Sequence, residues 1–227
     1  MLINEYCKLN NAADKREFIS DKVINSFNIP YNIKNTQYVN IYSMLSAGND
    51  ISITISAHYD VVFNNYENCL DNSASVINLI KLYQKLKFKE LKYNVSLAFI
   101  DAEETCDIYK CGINYIPFTD YLIDLELTAS GNRLIMSKYN NFDLFKIPVY
   151  NMPYNCASAL DMLQRYNNNI TKSACVTMVS DNDIKQLDGY GYCDRWVKCH
   201  SADDTIANWY NEDDCDKLVD FLVHILT

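Results

Sequence analysis

Apolar residues along this chain switch between a helical period and a strand period, and the switches outline the fold. Asp14 to Ile29 carries Phe18, Ile19, Val23, Ile24 and Phe27 on one helical face, which predicts an amphipathic helix. Tyr38 to Leu45 and Ile51 to Ala57 read as strands. Ala74 to Leu86 returns to the helical period, with Val76, Ile77, Leu79, Ile80, Tyr83 and Leu86 turned inward. Asn94 to Ile100 is nearly all apolar, as expected of a strand covered on both faces. Tyr121 to Leu127, Arg133 to Ser137 and Ala174 to Val179 are further strands. Ala157 to Tyr166 and Glu212 to Leu226 are further helices, the last with Leu218, Phe221, Leu222 and Ile225 on its buried stripe. Strands alternating with helices predict an α/β fold, a three-layer α/β/α sandwich around a mixed, largely parallel central sheet. No repeat, low-complexity tract or Gly/Ser linker marks a boundary, so residues 1–227 read as one domain large enough to bury a substantial core.

Composition narrows the function. A net charge of −9 argues against nucleic acid and against anionic membrane surfaces, since both need Lys and Arg to meet phosphate. No apolar run approaches the ~18 residues of a membrane span. The start, Met1 to Lys8, lacks a basic region followed by an apolar stretch, so no signal peptide is expected. Nine cysteines without an export signal then read as reduced thiols in a cytoplasmic protein. Their spacings match no cysteine zinc motif. Cys69 and Cys199, which flank Asp71 and His200, read as small buried hydrophobes rather than catalytic thiols.

The chemistry gathers beside the predicted strands. Ligands in α/β folds collect at the carboxyl ends of strands, where His58, Glu103 and Glu126 fall. Positions i and i+2 of a strand share a face, so Asp60 can steer the His58 ring. Glu103 and Glu104 are neighbours; on an extended backbone they point apart, leaving one free to ligate a metal and the other to move a proton. His200 precedes Asp203 and Asp204, either of which could support it. His224 lies off the apolar stripe of the last helix and reads as a surface residue. Taken singly, Glu103-Glu104 reads better as a solvated acidic loop, and His58 reads equally as a satisfied core histidine. Together, two imidazoles and three or four carboxylates can hold two zinc ions around one bridging carboxylate, with a further carboxylate as base. That combination makes a hydroxide nucleophile at neutral pH.

In order along the chain these segments resemble the M28 family of di-zinc aminopeptidases. The family's His-x-Asp is matched by His58-Tyr59-Asp60. Its bridging aspartate, before a helix, is matched by Asp71-Asn72-Ser73-Ala74-Ser75. Its Glu-Glu after an apolar strand is matched by Glu103-Glu104. Its later acidic ligand falls on Glu126, and its last histidine on His200 in His-Ser-Ala-Asp-Asp-Thr. Ser180-Asp181, with Gly189 and Gly191 after it, looks like the family's loop before that histidine. The resemblance spans roughly residues 35–227. It implies a zinc-peptidase (phosphorylase/hydrolase-like) fold and two Zn2+ ions, with Mn2+ or Co2+ also compatible with such ligands. Asp71 would bridge the ions, His58 and Glu126 would complete one site, and Glu104 and His200 the other. Glu103 would be the general base acting on a metal-bridging hydroxide, and Asp60 its catalytic companion behind His58. The implied activity is an aminopeptidase acting on peptides with a free N-terminus, with no protease-associated or PDZ appendage; the short gap between His58 and Asp71 leaves no room for an insertion there. The chain departs from the family at Ser75, where glycine is usual, in the Thr-Cys-Asp after Glu104, and at Glu126, where most relatives use Asp. The family register favours Glu126 as the ligand, with Asp124 as the alternative.

Two other readings stand beside the aminopeptidase. A glutaminyl-cyclase-like acyltransferase would use the same fold with a single zinc, and His58 argues against it by completing a second site. A non-enzymatic M28-like binding module would retain the fold alone, with the unusual loop after Glu104 as its support. Side-chain preference rests on loops, with candidates among Tyr139 to Tyr154 and Asp181 to Trp196, and the sequence leaves the oligomeric state open.

Overall fold

The apolar runs become a seven-stranded sheet in the computed structural model, which describes residues 1–46, 48–62, 66–104, 111–149 and 171–227. The strands are β1 (Phe27–Ile33), β2 (Thr36–Leu45), β3 (Ser52–His58), β4 (Asn94–Ile100), β5 (Tyr121–Leu125), β6 (Arg133–Tyr139) and β7 (Lys172–Val179), in the spatial order β1-β2-β4-β3-β5-β7-β6. The four central strands run parallel, in the order β4-β3-β5-β7. The flanking β1, β2 and β6 pair antiparallel, so the sheet is mixed and its parallel part is the centre. Parallel strands bury both faces, which explains why β4 is nearly all apolar. Val95, Leu97 and Phe99 enter the larger core, while Ala98 and Ile100 face the other way, against Cys111, Ile113 and Leu122.

The helices among the described residues are α1 (Leu2–Tyr6), α2 (Ala12–Lys22), α3 (Ala74–Leu86), α4 (Asp181–Tyr190), α5 (Asp194–Lys198), α6 (Ile206–Trp209) and α7 (Glu212–Leu226). None of them is long and apolar enough to cross a membrane. Helix α3 turns inward the six residues its period predicts, and α7 packs along it. Each Ile or Leu so buried contributes about 1.5–3 kcal/mol. Ser75, the residue in the glycine position, is buried in α3 and shares a 2.7 Å hydrogen bond with the Thr128 hydroxyl. On α7 the buried stripe is Cys215, Leu218, Val219, Leu222, Val223 and Leu226, rotated slightly from the expected one. His224 is exposed, as its position off the stripe implied.

Two readings change, and a third has no outcome. The helix expected over Asp14 to Ile29 stops at Lys22: Val23 (φ −114°, ψ 87°) leaves helical geometry, and Asn25 then takes the left-handed conformation (φ 66°), which asparagine tolerates better than most residues. The apolar Ile24 and Phe27 that extended the helical period are 61% and 46% exposed, and Phe27 begins edge strand β1. Pro30 is tolerated there because an edge strand has one unpaired side. Helix α4 was not anticipated. Ser180 opens it with a capping box, accepting from the Asp183 N–H while Asp183 accepts from the Ser180 N–H. The helix expected over Ala157 to Tyr166 lies outside the described residues.

The turn after β4 is pinned from several sides. Tyr31 donates to the Asp101 carbonyl (2.6 Å), Val39 N–H and the Tyr59 hydroxyl donate to the Asp101 carboxylate (3.0 and 2.9 Å), and Asn40 joins the Asp101 N–H to the Gly112 carbonyl. A β-carbon on Gly112 would fall inside contact distance of Asp101 O, Tyr31 Oη and Asn40 Oδ1. Gly112→Ala is therefore expected to destabilise the protein by about 1–3 kcal/mol through overpacking. Chemical denaturation measures this, and an unchanged midpoint would show that the turn is not packed as described.

Candidate metal centre

The site is built around the segment before α3. Residues Cys69–Ser73 form a distorted helical turn in which Asp71 (φ −123°, ψ 88°) leaves helical geometry, and the Asp71–Asn72 peptide is cis. Asp204 reaches across from the other side of the chain and accepts the N–H groups of Leu70 (2.6 Å) and Asp71 (3.2 Å). With its backbone held, Asp71 divides its carboxylate between two histidines. Oδ1 lies 2.9 Å from His58 Nε2, and Oδ2 lies 2.6 Å from His200 Nε2. Glu126 Oε1 stands 3.4 Å from His58 Nε2, and Glu104 Oε1 stands 3.5 Å from His200 Nε2. Five sequence-nominated residues thus meet in two half-sites that share Asp71. Asp124 is elsewhere: it accepts from the Ser56 hydroxyl (2.8 Å), while Asn72 donates to the other oxygen of Glu126 (3.0 Å).

Asp60 behaves differently from the simple strand argument. Strand β3 ends at His58, so the approach of Asp60 comes from the turn that follows. His58 Nδ1 lies 3.2 Å from the Asp60 carbonyl and 3.4 Å from its carboxylate. The same carboxylate accepts the N–H groups of Glu103 (3.1 Å) and Glu104 (2.8 Å). One side chain therefore ties the histidine of one half-site to the glutamate of the other. Glu103 and Glu104 lie past the end of β4 on a bend, with Ala102 at φ 59°, so the strand pleat does not apply to them. Neither acid after His200 steers its ring. Asp203 pairs with Lys198 (3.3 Å), and Asp204 holds residues 70–71 instead. Sequence reasoning missed Asp101 and, although it named Asp204 as a possible support for His200, missed what Asp204 holds, since each acts on backbone far away in the chain. Of the loops named for specificity, residues 150–154 lie outside the described residues.

Electrostatics follow from burying so many like charges. Burial pushes Glu103 up to about 8, helped by Glu104, Asp60 and Asp71 and opposed by His58. Burial likewise pushes Glu104 to about 7 and Asp124 to about 7, and Glu126 well above the usual carboxylate range. At Asp71 burial loses: the adjoining His200 and His58 imidazoles hold it well below that range. Burial acts to lower His58, but Glu126, Asp60 and Asp71 carry it well above 6.5. His200 rises to about 10 beside Asp71 and Glu104.

The donor set fits a divalent cation. His58 Nε2, Asp71 Oδ1 and Glu104 Oε1 are buried and have no hydrogen bond of acceptable geometry. Leaving such atoms unsatisfied costs about 1–3 kcal/mol each, and a cation between them removes that cost. Donor atoms of His58, Asp71 and Glu104 lie within 4.8 Å of one another, as do those of Asp71, Cys199 and His200. The described residues thus have the capacity for one or two divalent ions around Asp71.

Two outcomes follow. Glu103 titrates near 8 when folded against 4.5 when unfolded, and His200 near 10 against 6.5. Both groups bind more protons folded than unfolded across those intervals, so the metal-free protein should lose stability as pH rises from about 5 to 8. Thermal melts of chelated protein measure this; a midpoint that climbs over that range would contradict it. Asp204→Ala strands two buried N–H groups and frees the Asp71 turn, so zinc affinity should fall about 10–100-fold in a competition titration. Unchanged affinity would remove Asp204 from the site's support.

Comparison with known proteins places this geometry in a family. The model of peptidase family M28 matches residues 40–221. No curated protein sequence matches the chain. Among solved structures, the glutaminyl cyclase of Bacteroides thetaiotaomicron bound to N-acetylhistamine aligns with TM-score 0.72 at 12% identity, covering 99% of this chain and 94% of that one. A Zn-dependent exopeptidase from Parabacteroides distasonis aligns with TM-score 0.60 at 15% identity, covering 98% and 94%. The LapA aminopeptidase of Legionella pneumophila aligns with TM-score 0.65 at 13% identity, covering 99% and 68%. At these identities the likeness is one of fold, an α/β/α sandwich with a mixed sheet. The match of the family model over most of the chain, together with metal-capable clusters at its motif positions, shows that the chain belongs to peptidase family M28 and is a zinc-dependent enzyme of that kind.

Proposed function

We propose that this enzyme works on the N-terminal residue of a peptide in the manner of a glutaminyl cyclase, closing an N-terminal glutamine into pyroglutamate. The observation that carries the reading is the asymmetry of the two half-sites. The His200 side chain is 42% exposed, whereas the His58 side chain is 1% exposed. A substrate reaches a metal at Asp71, Glu104 and His200 far more readily than one at His58 and Glu126. One working metal suits cyclisation. Glutaminyl cyclases from Porphyromonas gingivalis and Tannerella forsythia match length for length, covered to 93% and 95%, as does the Parabacteroides exopeptidase at 94%, so the choice between them rests on the site.

In this reading Asp71, Glu104 and His200 would hold a zinc ion, which would supply Lewis-acid polarisation of the γ-carboxamide carbonyl. The α-amine nitrogen bonds to the carbonyl carbon of that carboxamide (Cδ), the C–N bond of the carboxamide breaks, and ammonia leaves. Glu103 shuttles the proton, taking it from the attacking amine and returning it to the departing nitrogen. Its place beside Glu104 on one bend, 7% exposed, keeps it next to the metal half-site and away from bulk water. Asp60 positions both glutamates through their backbone N–H groups.

A second reading keeps the two-zinc aminopeptidase. It is favoured by the split of Asp71, whose two oxygens engage two separate ligand pairs. Peptides with N-terminal glutamine, with other free N-termini and with acetylated N-termini separate the two by mass spectrometry. Pyroglutamate with ammonia is expected. Free amino acids released from ordinary N-termini, without pyroglutamate, would overturn the cyclase reading in favour of the peptidase. Glu103→Gln should retain zinc and lose about 10²–10⁴-fold in rate; an unchanged rate would dismiss Glu103 from the chemistry.

A further inference from the structure

Cys199 immediately precedes His200, just after α5, and the same turn brings both side chains to Asp71. Its sulfur, a carboxylate oxygen of Asp71 and a ring nitrogen of His200 lie within 4.8 Å of one another. The thiol is buried and donates to the Trp196 carbonyl at 3.3 Å, a weak S–H hydrogen bond. Cys69 is closer in sequence to Asp71 but joins no such group among the described residues. Independently of the thiol, Glu104 Oε1, 3.5 Å from His200 Nε2, is buried without a hydrogen-bond partner, which marks the same half-site as a cation position.

We propose that Cys199 supplies a fourth, sulfur donor to the metal held by Asp71, Glu104 and His200. The inference rests on the metal reading above and adds a ligand to it. As the ion enters, a sulfur–metal bond forms, the S–H bond breaks and the proton passes to solvent. Two consequences follow from the ligand chemistry. A thiolate is soft, so it tilts the site toward zinc or cobalt and away from manganese. Four protein donors close a tetrahedral zinc site, so substrate must displace the thiolate or expand the coordination to five.

Cobalt(II) tests this directly, because a thiolate on cobalt gives a near-ultraviolet charge-transfer band that oxygen and nitrogen ligands do not. The cobalt-loaded protein is expected to show that band in proportion to bound cobalt. Cys199→Ser and Cys199→Ala should lose the band while retaining cobalt and its visible d–d bands. Wild-type protein whose d–d bands depend on His200 but which lacks the charge-transfer band would overturn the role of Cys199 and leave the metal site standing. A band that survives in both variants would overturn it equally, by pointing to another cysteine. Failure of wild-type protein to retain cobalt, or retention undiminished in Asp71→Ala, would overturn both the inference and the metal reading beneath it.

Discussion

One carboxylate organises the site. Asp71 faces His58 with one oxygen and His200 with the other, so two histidines far apart in the chain are brought to a single acid. Such an arrangement is costly without a cation, because Glu103, Glu104 and Glu126 are buried and each is raised by the Asp71 charge. It persists because the backbone is held from outside. Asp204 grips the N–H groups of residues 70 and 71, and Asp60 grips those of residues 103 and 104. The two gripping acids bond to main chain, so they fix geometry without competing for the metal position.

The sheet explains why these residues can meet. Strands β3, β4 and β5 are parallel neighbours, so their carboxyl ends lie side by side. His58 ends β3, Glu103 and Glu104 follow the end of β4, and Glu126 follows the end of β5. The helices contribute chiefly by burying the face beneath: α3 packs on the sheet immediately after the Asp71 turn, and α7 locks α3 in place. Function therefore sits in loops, while precision comes from the strands that launch them.

Much of this was legible in the sequence, and the failures share physical causes. Strand β4 and helix α3 announced themselves because burial on two faces or one clean stripe leaves a strong pattern. Helix α2 was overextended because Ile24 and Phe27 continue its period while Asn25 breaks the backbone. Helix α4 was missed because its residues are mostly polar, although the Ser180–Asp183 cap was present to be read. At the site, His58, Asp71, Glu104, Glu126 and His200 were nominated by their order along the chain, and they meet. Their supports were hidden: Asp204 acts on residues more than a hundred positions away, and Asp101 serves the backbone of β2. Pairings across such separations leave no periodic trace. Glu126 is the acid that stands 3.4 Å from His58, whereas Asp124 accepts from the Ser56 hydroxyl.

The account stands on a divalent ion seated against Asp71. Anomalous diffraction from crystals grown with zinc tests that most directly. The account predicts a strong peak within bonding distance of Asp71 Oδ2, Glu104 and His200, with any second peak on the His58–Glu126 side of the same carboxylate. Zinc peaks confined to other parts of the molecule, with Asp71 still paired directly to His58 and His200, would contradict it.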